Sequence, residues 1–290
     1  MKSLMIEVAP QVFTDVYFAA QGPKLFVWHN GTPSARPLSP TMLEVFAKHG
    51  FSVASPLRPG YGDSSYQPAR SFEADAANTA KVVSELGFER YITCGYSGGG
   101  PRALADLAFN DSAVAGIIVA GTAPYFDSEV DWLAGADPSE IEAFTALIEH
   151  GEEARPNFEK WLPDLKAFNL QTFLAQNEGD APLIAWTETP DAQFRFNQPS
   201  KTFDQGVTGW MLDEIALARP WGFDPSVISK PTFIWTGDRD KNVDAMCSRW
   251  MHDKIAGSKL TVLPGFEHTR IWSVETLEQM LAQLNENLVF

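Results

Sequence analysis

The run Gly95-Tyr96-Ser97-Gly98-Gly99 spaces a serine between glycines in the order G-x-S-x-G. The residues before it, from Tyr91, read as a buried strand. Those after it, Pro101 to Phe109, read as a helix that opens on a proline, where the missing N–H costs nothing. A strand turning sharply into a helix holds the serine on a strained corner and lifts its hydroxyl clear of the sheet. The flanking glycines let strand and helix come close. The same turn sets the Gly98 N–H at a helix N-terminus, where backbone donors meet developing negative charge. The chemistry that fits is nucleophilic attack by Ser97; the alternative is a glycine-rich turn that merely binds phosphate.

A serine hydroxyl is a poor nucleophile until an imidazole takes its proton, and a carboxylate must fix the imidazole's tautomer. Of the five histidines, His268 is the candidate base. It follows a strand and a glycine-containing turn, so it falls on a loop at a strand's C-terminal end, where α/β sites lie. His49, His150 and His252 fall on helical patterns, and His29, shortly before Gly31, reads as a brace for its loop. Two acids, Asp238 and Asp240, follow the strand-like run Thr232–Thr236, and spacing alone does not choose between them. Asp127, after the run Val114–Ala120, is a third candidate.

These residues need a scaffold that brings strand ends together. Compact apolar runs of buried-strand length occur at Lys24–His29, Phe51–Ser55, Tyr91–Tyr96 and Val114–Ala120. Between them lie helical patterns at Pro40–His49 and Phe72–Leu86, the second with Ser71 as N-cap and Gly87 just past its end. Met5–Ala9 and Val12–Ala19 read as an antiparallel hairpin at the start. After Pro231 the alternation resumes with a strand Thr232–Thr236, a helix Val243–Ile255, a strand Leu260–Leu263 and a helix Val274–Leu288. Strands alternating with helices predict a mainly parallel sheet flanked by helices. From 123 to 223 the alternation is lost, and helical stretches are broken by Pro138, Pro156, Pro163, Pro182, Pro190 and Pro199. This segment, rich in aromatics such as Tyr125, Phe126, Trp132 and Trp210, is predicted to be a helical cap inserted into a core made of 1–122 and 224–290.

Composition narrows the function classes. The chain has 290 residues, 44% of them hydrophobic, and a formal net charge of −15. That charge disfavours nucleic acid, whose phosphates need Lys and Arg, and anionic membrane surfaces. No apolar run is long enough to span a bilayer, and Glu7 interrupts the only early apolar stretch, so no secretory signal is expected there. Two cysteines, Cys94 and Cys247, are too few for a disulfide framework and read as buried free thiols, which makes the cytoplasm the expected compartment. The histidines are too scattered for a zinc site. Residues 123–223 hold 18 Asp and Glu against 6 Lys and Arg. If that field reaches a pocket mouth, a small-molecule substrate that is neutral or cationic is favoured over an anionic one.

The chain resembles the α/β-hydrolase superfamily at five places in order. Gly95 to Pro101 is similar to the family's nucleophile elbow, and Arg58-Pro59-Gly60-Tyr61-Gly62-Asp63-Ser64 to the loop after its fourth strand. His29-Asn30-Gly31-Thr32-Pro33 resembles the oxyanion loop, although Asn30 stands where relatives often carry a second histidine. Gly237-Asp238-Arg239-Asp240 resembles the acid turn, and Gly265-Phe266-Glu267-His268 the histidine loop. The resemblance implies an α/β-hydrolase fold with Ser97, Asp240 and His268 as catalytic triad. The backbone N–H groups of Thr32 and Gly98 would form the oxyanion hole, and the Arg58–Ser64 loop would be structural. It implies cleavage of a small ester, or an amide, through an acyl-enzyme, with no metal or organic cofactor. Serine at the elbow argues against dehalogenase or epoxide hydrolase chemistry, where relatives use aspartate. An aminopeptidase resembling proline iminopeptidases, a carbon–carbon bond hydrolase and a non-catalytic receptor on the same fold are the alternatives.

Overall fold

A computed structural model describes residues 1–68, 70–125, 130–132 and 138–288. The chain opens on an antiparallel hairpin. Strand β1 (Lys2–Ala9) turns back at Gln11 into β2 (Val12–Ala19), and the two pair antiparallel from Lys2↔Phe18 to Ala9↔Val12. The first strand starts three residues ahead of the apolar pattern, because an edge strand pairs through its backbone whatever its side chains. β3 (Lys24–His29) runs into α1 (Pro40–Lys48), which has Ser39 as N-cap and Pro40 at its first position. Then follow β4 (Phe51–Pro56), α2 (Phe72–Glu85), β5 (Tyr91–Tyr96), α3 (Gly100–Phe109) and β6 (Ala113–Val119). Ser71 caps α2 by accepting from Ala74 N–H, and Gly87 ends it at φ +81°.

Between β6 and the next strand the described residues form helices and loops, with no strand among them. The α-helices are α4 (Pro138–His150), α5 (Arg155–Glu159), α6 (Leu162–Ala167), α7 (Leu170–Gln176), α8 (Ala181–Thr187), α9 (Pro190–Asn197) and α10 (Thr208–Ala218). The prolines expected to break helices here mostly open them instead. Pro138, Pro156, Pro163, Pro182 and Pro190 all stand in first turns, where proline's fixed φ suits the helix and no N–H is wanted. The chain then closes with β7 (Thr232–Gly237), α11 (Ala245–Lys254), β8 (Lys259–Leu263) and α12 (Val274–Asn287). Helix α11 begins two residues later than its periodicity suggests. Asp244 caps it, and Asp240 captures the Val243 N–H.

The eight strands form one sheet in the order β1-β2-β4-β3-β5-β6-β7-β8, parallel from β4 onward. Side chains alternate across it. On β3, Phe26 and Trp28 pack on one face with Phe46 of α1 and Leu277 of α12, while Leu25 and Val27 pack on the other with α2 and α3. Both cysteines are buried and unpaired. No described helix is long and apolar enough to cross a membrane.

Because β3, β5, β7 and β8 all point the same way, their C-terminal loops share one edge. At that edge the elbow leaves no room for side chains. A Cβ at Gly95 would lie 2.1 Å from Gly99 O, and one at Gly99 would lie 2.3 Å from His29 O. Gly99→Ala should therefore force backbone apart and lower stability by about 3 kcal/mol or more. Gly257, at φ +78° with open space around it, should lose only about 1 kcal/mol as alanine. Urea unfolding of both variants checks the ranking.

Candidate active site

Ser97 follows the last residue of β5 and sits at φ +54°, the left-handed region that a non-glycine residue rarely adopts. The turn is held because helix α3 packs directly against the ends of β3 and β6. Gly31 and Gly98 flank the serine. A Cβ on Gly31 would come 3.1 Å from Ser97 Cβ, and a Cβ on Gly98 would come 2.6 Å from Thr32 Oγ1. Thr32 and Gly98, the two residues expected to supply the oxyanion hole, are thus in contact beside Ser97.

The structure brings His268 and Asp240 together. His268 Nδ1 and Asp240 Oδ2 lie 2.7 Å apart, which leaves Nε2 as the nitrogen for proton transfer. The other oxygen of Asp240 accepts from the N–H groups of Asn242 and Val243, each at 2.9 Å, so the carboxylate cannot rotate away. Asp238 does something else: its Oδ1 accepts from Gly265 N–H at 2.6 Å and ties the acid turn to the histidine loop. Asp127, along with Phe126, lies outside the described residues. No hydrogen bond joins Ser97 to His268 in the free protein; such bonds commonly tighten only when substrate is bound. His268 is steadied from behind by aromatics. Tyr96 donates its hydroxyl to His268 O at 2.9 Å, and its ring lies 4.9 Å from the imidazole. Four residues on, Trp272 stacks on Trp28 at 4.0 Å. Burial raises the Tyr96 phenol to about 12, with Arg195 pulling the other way, so it stays a donor.

The other histidines are engaged elsewhere. His29 reaches the buried Asp106 of α3 through Nε2 at 2.8 Å, and His49 reaches Glu278 at 3.0 Å. His252 meets Ser258 Oγ at 2.9 Å, and His150 is exposed. Among the described residues no group of three or more His, Cys, Asp or Glu is placed to hold a metal.

Sequence reasoning missed the residue on which the oxyanion loop rests. Asp213 of α10 is fully buried and accepts from five side chains. These are Thr32 Oγ1 at 2.7 Å, Tyr61 hydroxyl at 2.7 Å, Arg58 Nη2 at 2.6 Å, Arg70 Nη1 at 2.6 Å and Arg102 Nη2 at 2.7 Å. Arg58 continues the chain of contacts, donating to Asn30 O at 2.8 Å and Gly31 O at 2.9 Å. Arg58, the first residue of the Arg58–Ser64 loop, thus holds the segment that carries Asn30, Gly31 and Thr32. Burial alone would raise the Asp213 carboxyl; Arg102, Arg58 and Arg70 instead hold it far below the usual range. A sequence signal did exist. Asp213 and Glu214 interrupt the otherwise apolar run from Trp210 to Ala218, and a helix so apolar cannot turn both carboxylates to solvent.

A cavity of about 850 Å³ opens over these residues, lined by Ser97, Gly98, Thr32, His268, Trp28 and, from the helical insertion, Glu214 and Leu217. Burial raises the Glu214 carboxyl to about 7, against the indole N–H of Trp210 at 3.1 Å and aided by Asp213.

The model of the alpha/beta hydrolase family matches residues 26–271. Among solved structures, an alpha/beta hydrolase fold protein from Nakamurella multipartita is similar at 21% identity and TM-score 0.65, covering 98% of each chain. A thermophilic esterase from Thermogutta terrifontis is similar at 19% identity and TM-score 0.65, covering 99% of this chain and 97% of its own. An epoxide hydrolase from Vigna radiata is similar at 15% identity and TM-score 0.68, covering 99% of this chain and 98% of its own. At these identities the likeness is one of fold. No curated protein matches by sequence.

Asp213→Asn leaves three buried guanidiniums facing only Asp75, so it should cost about 3–5 kcal/mol in urea unfolding. Asp63→Asn, which frees an exposed carboxylate from Lys201, should cost under about 1 kcal/mol. For Glu214, the folded state keeps a proton that the unfolded chain releases between its ordinary 4.5 and about 7. Stability should therefore fall as pH rises through that window and level off above it. Glu214→Gln should remove that fall, gaining on the parent by on the order of 1–3 kcal/mol between pH 5 and pH 8 in thermal melts.

Proposed function

The chain belongs to the alpha/beta hydrolase family, and on that premise we propose that it is a serine hydrolase that cleaves small esters through an acyl-enzyme. The observation that carries the reading is the 2.7 Å bond from His268 to Asp240, made beside a serine held in the left-handed region and lining the same cavity. Ser97 Oγ attacks the ester carbonyl while His268 Nε2 takes its proton. Asp240 keeps the proton of Nδ1 in place and stabilises the imidazolium. The N–H groups of Thr32 and Gly98 receive the oxyanion, and His268 then returns the proton to the departing alcohol. Water, activated by the same imidazole, releases the acid. Residues 123–223 serve as a cap over the cavity, and Asp213 joins that cap to the oxyanion loop.

The reading favours serine ester chemistry over epoxide opening because the residue at the corner is a serine, whatever the overall likeness to an epoxide hydrolase. A fluorophosphonate should label Ser97 and no other residue, and the unlabelled protein should turn over a nitrophenyl ester that the labelled protein does not. Labelling without turnover would favour a receptor instead. Ser97→Ala should lower turnover roughly a million-fold with the fold intact. Asp240→Asn should lower it by about four orders of magnitude by favouring the wrong tautomer. Asp238→Asn, which loosens a turn, should cost far less. Should Ser97→Ala keep more than a few per cent of activity, or Asp238 outrank Asp240, the assignment is wrong.

A further inference from the structure

The charge of the helical insertion as a whole is not the charge of the surface it turns toward Ser97. Two guanidiniums line the cavity. Arg36 stands on the oxyanion loop a few residues after Thr32, and Arg195 stands in the last turn of α9. Arg36 Nη1 donates to the backbone oxygen of Arg195 at 2.7 Å, and burial, then the neighbouring Arg195 charge, lowers the Arg36 guanidinium from its ordinary value. Arg195 also faces Tyr96, the residue before the nucleophile, and pulls its phenol down. Like charges gathered beside a partly apolar cavity repel one another with little solvent between them. They are retained there at a cost unless something of opposite sign comes between them.

Nothing among the described residues fills that role. Among the described residues no carboxylate lies within 4.0 Å of either guanidinium, although twelve ion pairs of that length join other arginines and lysines to Asp or Glu. Arg36 commits only Nη1, to Arg195 O at 2.7 Å and Gln198 O at 3.4 Å. The acids that line the cavity are otherwise occupied. Asp191 feels the Arg195 charge but is bonded to Ser39 and kept above its ordinary value by burial. Glu214 is raised to about 7 and bonded to Trp210, and Asp204 is exposed.

We infer that Arg36 and Arg195 form an anion subsite that binds a carboxylate carried by the substrate of Ser97. A planar carboxylate matches the guanidinium fork, and two such forks fix its direction as well as its charge. The carboxylate stands on either the acyl side or the leaving-group side of the scissile ester. This rests on the ester-hydrolase reading for the identity of the reaction, but the subsite itself exists whether or not the serine turns over. It also runs against the preference for neutral or cationic substrates expected from the acidic insertion.

Glutarate, a dicarboxylate without an ester, tests the subsite apart from catalysis. Calorimetry on the Ser97→Ala protein should show it binding with a dissociation constant of about 1 mM or tighter. Arg195→Gln added to that protein should weaken binding about tenfold or more, and Arg195→Lys should fall between the two. Circular dichroism identifies any variant that fails to fold, in which case Arg36→Gln takes its place. Two ester pairs then locate the carboxylate: 4-nitrophenyl hydrogen glutarate against its methyl ester, and 4-(butyryloxy)benzoate against its methyl ester. A kcat/KM preference of about tenfold for the anion in the first pair places it on the acyl side, and in the second on the leaving-group side. Either preference should shrink in Arg195→Gln. Failure of glutarate to bind at about 10 mM, or binding unchanged by both arginine substitutions, overturns the subsite. An absence of turnover with glutarate still bound would instead overturn the hydrolase reading and leave the subsite standing.

Discussion

One buried carboxylate ties the helices between β6 and β7 to the residues around the sheet. Asp213 comes from α10, the last of those helices, and every side chain that donates to it precedes β6 in the chain: Thr32, Arg58, Tyr61, Arg70 and Arg102. Removing so many charges from water is expensive, and only near-complete hydrogen bonding offsets it. The return is positional. Arg58 carries the same network to the carbonyl oxygens of Asn30 and Gly31, and Arg102 carries it to Gly98 O. Thr32 and Gly98, the two residues beside Ser97, are thus both tied to one anion. The backbone is shaped to admit the helix that brings it. A Cβ on Gly60 would lie 2.8 Å from Gly209 N, so two glycines let the core loop and the start of α10 touch.

With the oxyanion loop held, the strain at Ser97 becomes a fixed feature of the fold and not a hinge. A left-handed residue there costs about 1–2 kcal/mol. Gly31, Gly95, Gly98 and Gly99 close around it with no space for a side chain. The imidazole is held as firmly from the other side, by Asp240, by the Tyr96 ring and by Trp272 stacked on Trp28. The rest of the cavity wall includes Arg195 on the short helix α9 and Glu214 and Leu217 on α10, the helix that Asp213 anchors.

How much of this could be read from the chain depended on how local the signal was. Strand β3 at Lys24–His29 and β5 at Tyr91–Tyr96 match their apolar runs end for end, since buried parallel strands must be apolar throughout. The serine corner was legible because glycine spacing, strand and helix coincide within a dozen residues. Asp240 was separable from Asp238 only by family pattern, because what distinguishes them is which one meets His268, 28 positions away. Asp213 was invisible as a partner: its bonds span 111 to 181 positions, and no periodicity encodes such distances. The same holds for the substrate charge. The acids of residues 123–223 could be counted, but which few side chains turn inward is decided by packing, and there Arg36 and Arg195 meet without a carboxylate between them.

Under the proposed function, esters are cleaved by way of a covalent bond to Ser97. The most direct measurement is rapid-quench intact-mass spectrometry during turnover of a 4-nitrophenyl ester, followed by peptide mapping. An adduct of the mass of the acyl group, confined to the peptide that contains Ser97 and decaying at the rate of steady-state turnover, is the expected result. Turnover with the acyl group on another residue, or with no adduct although nitrophenol is released in a pre-steady-state burst, would contradict it.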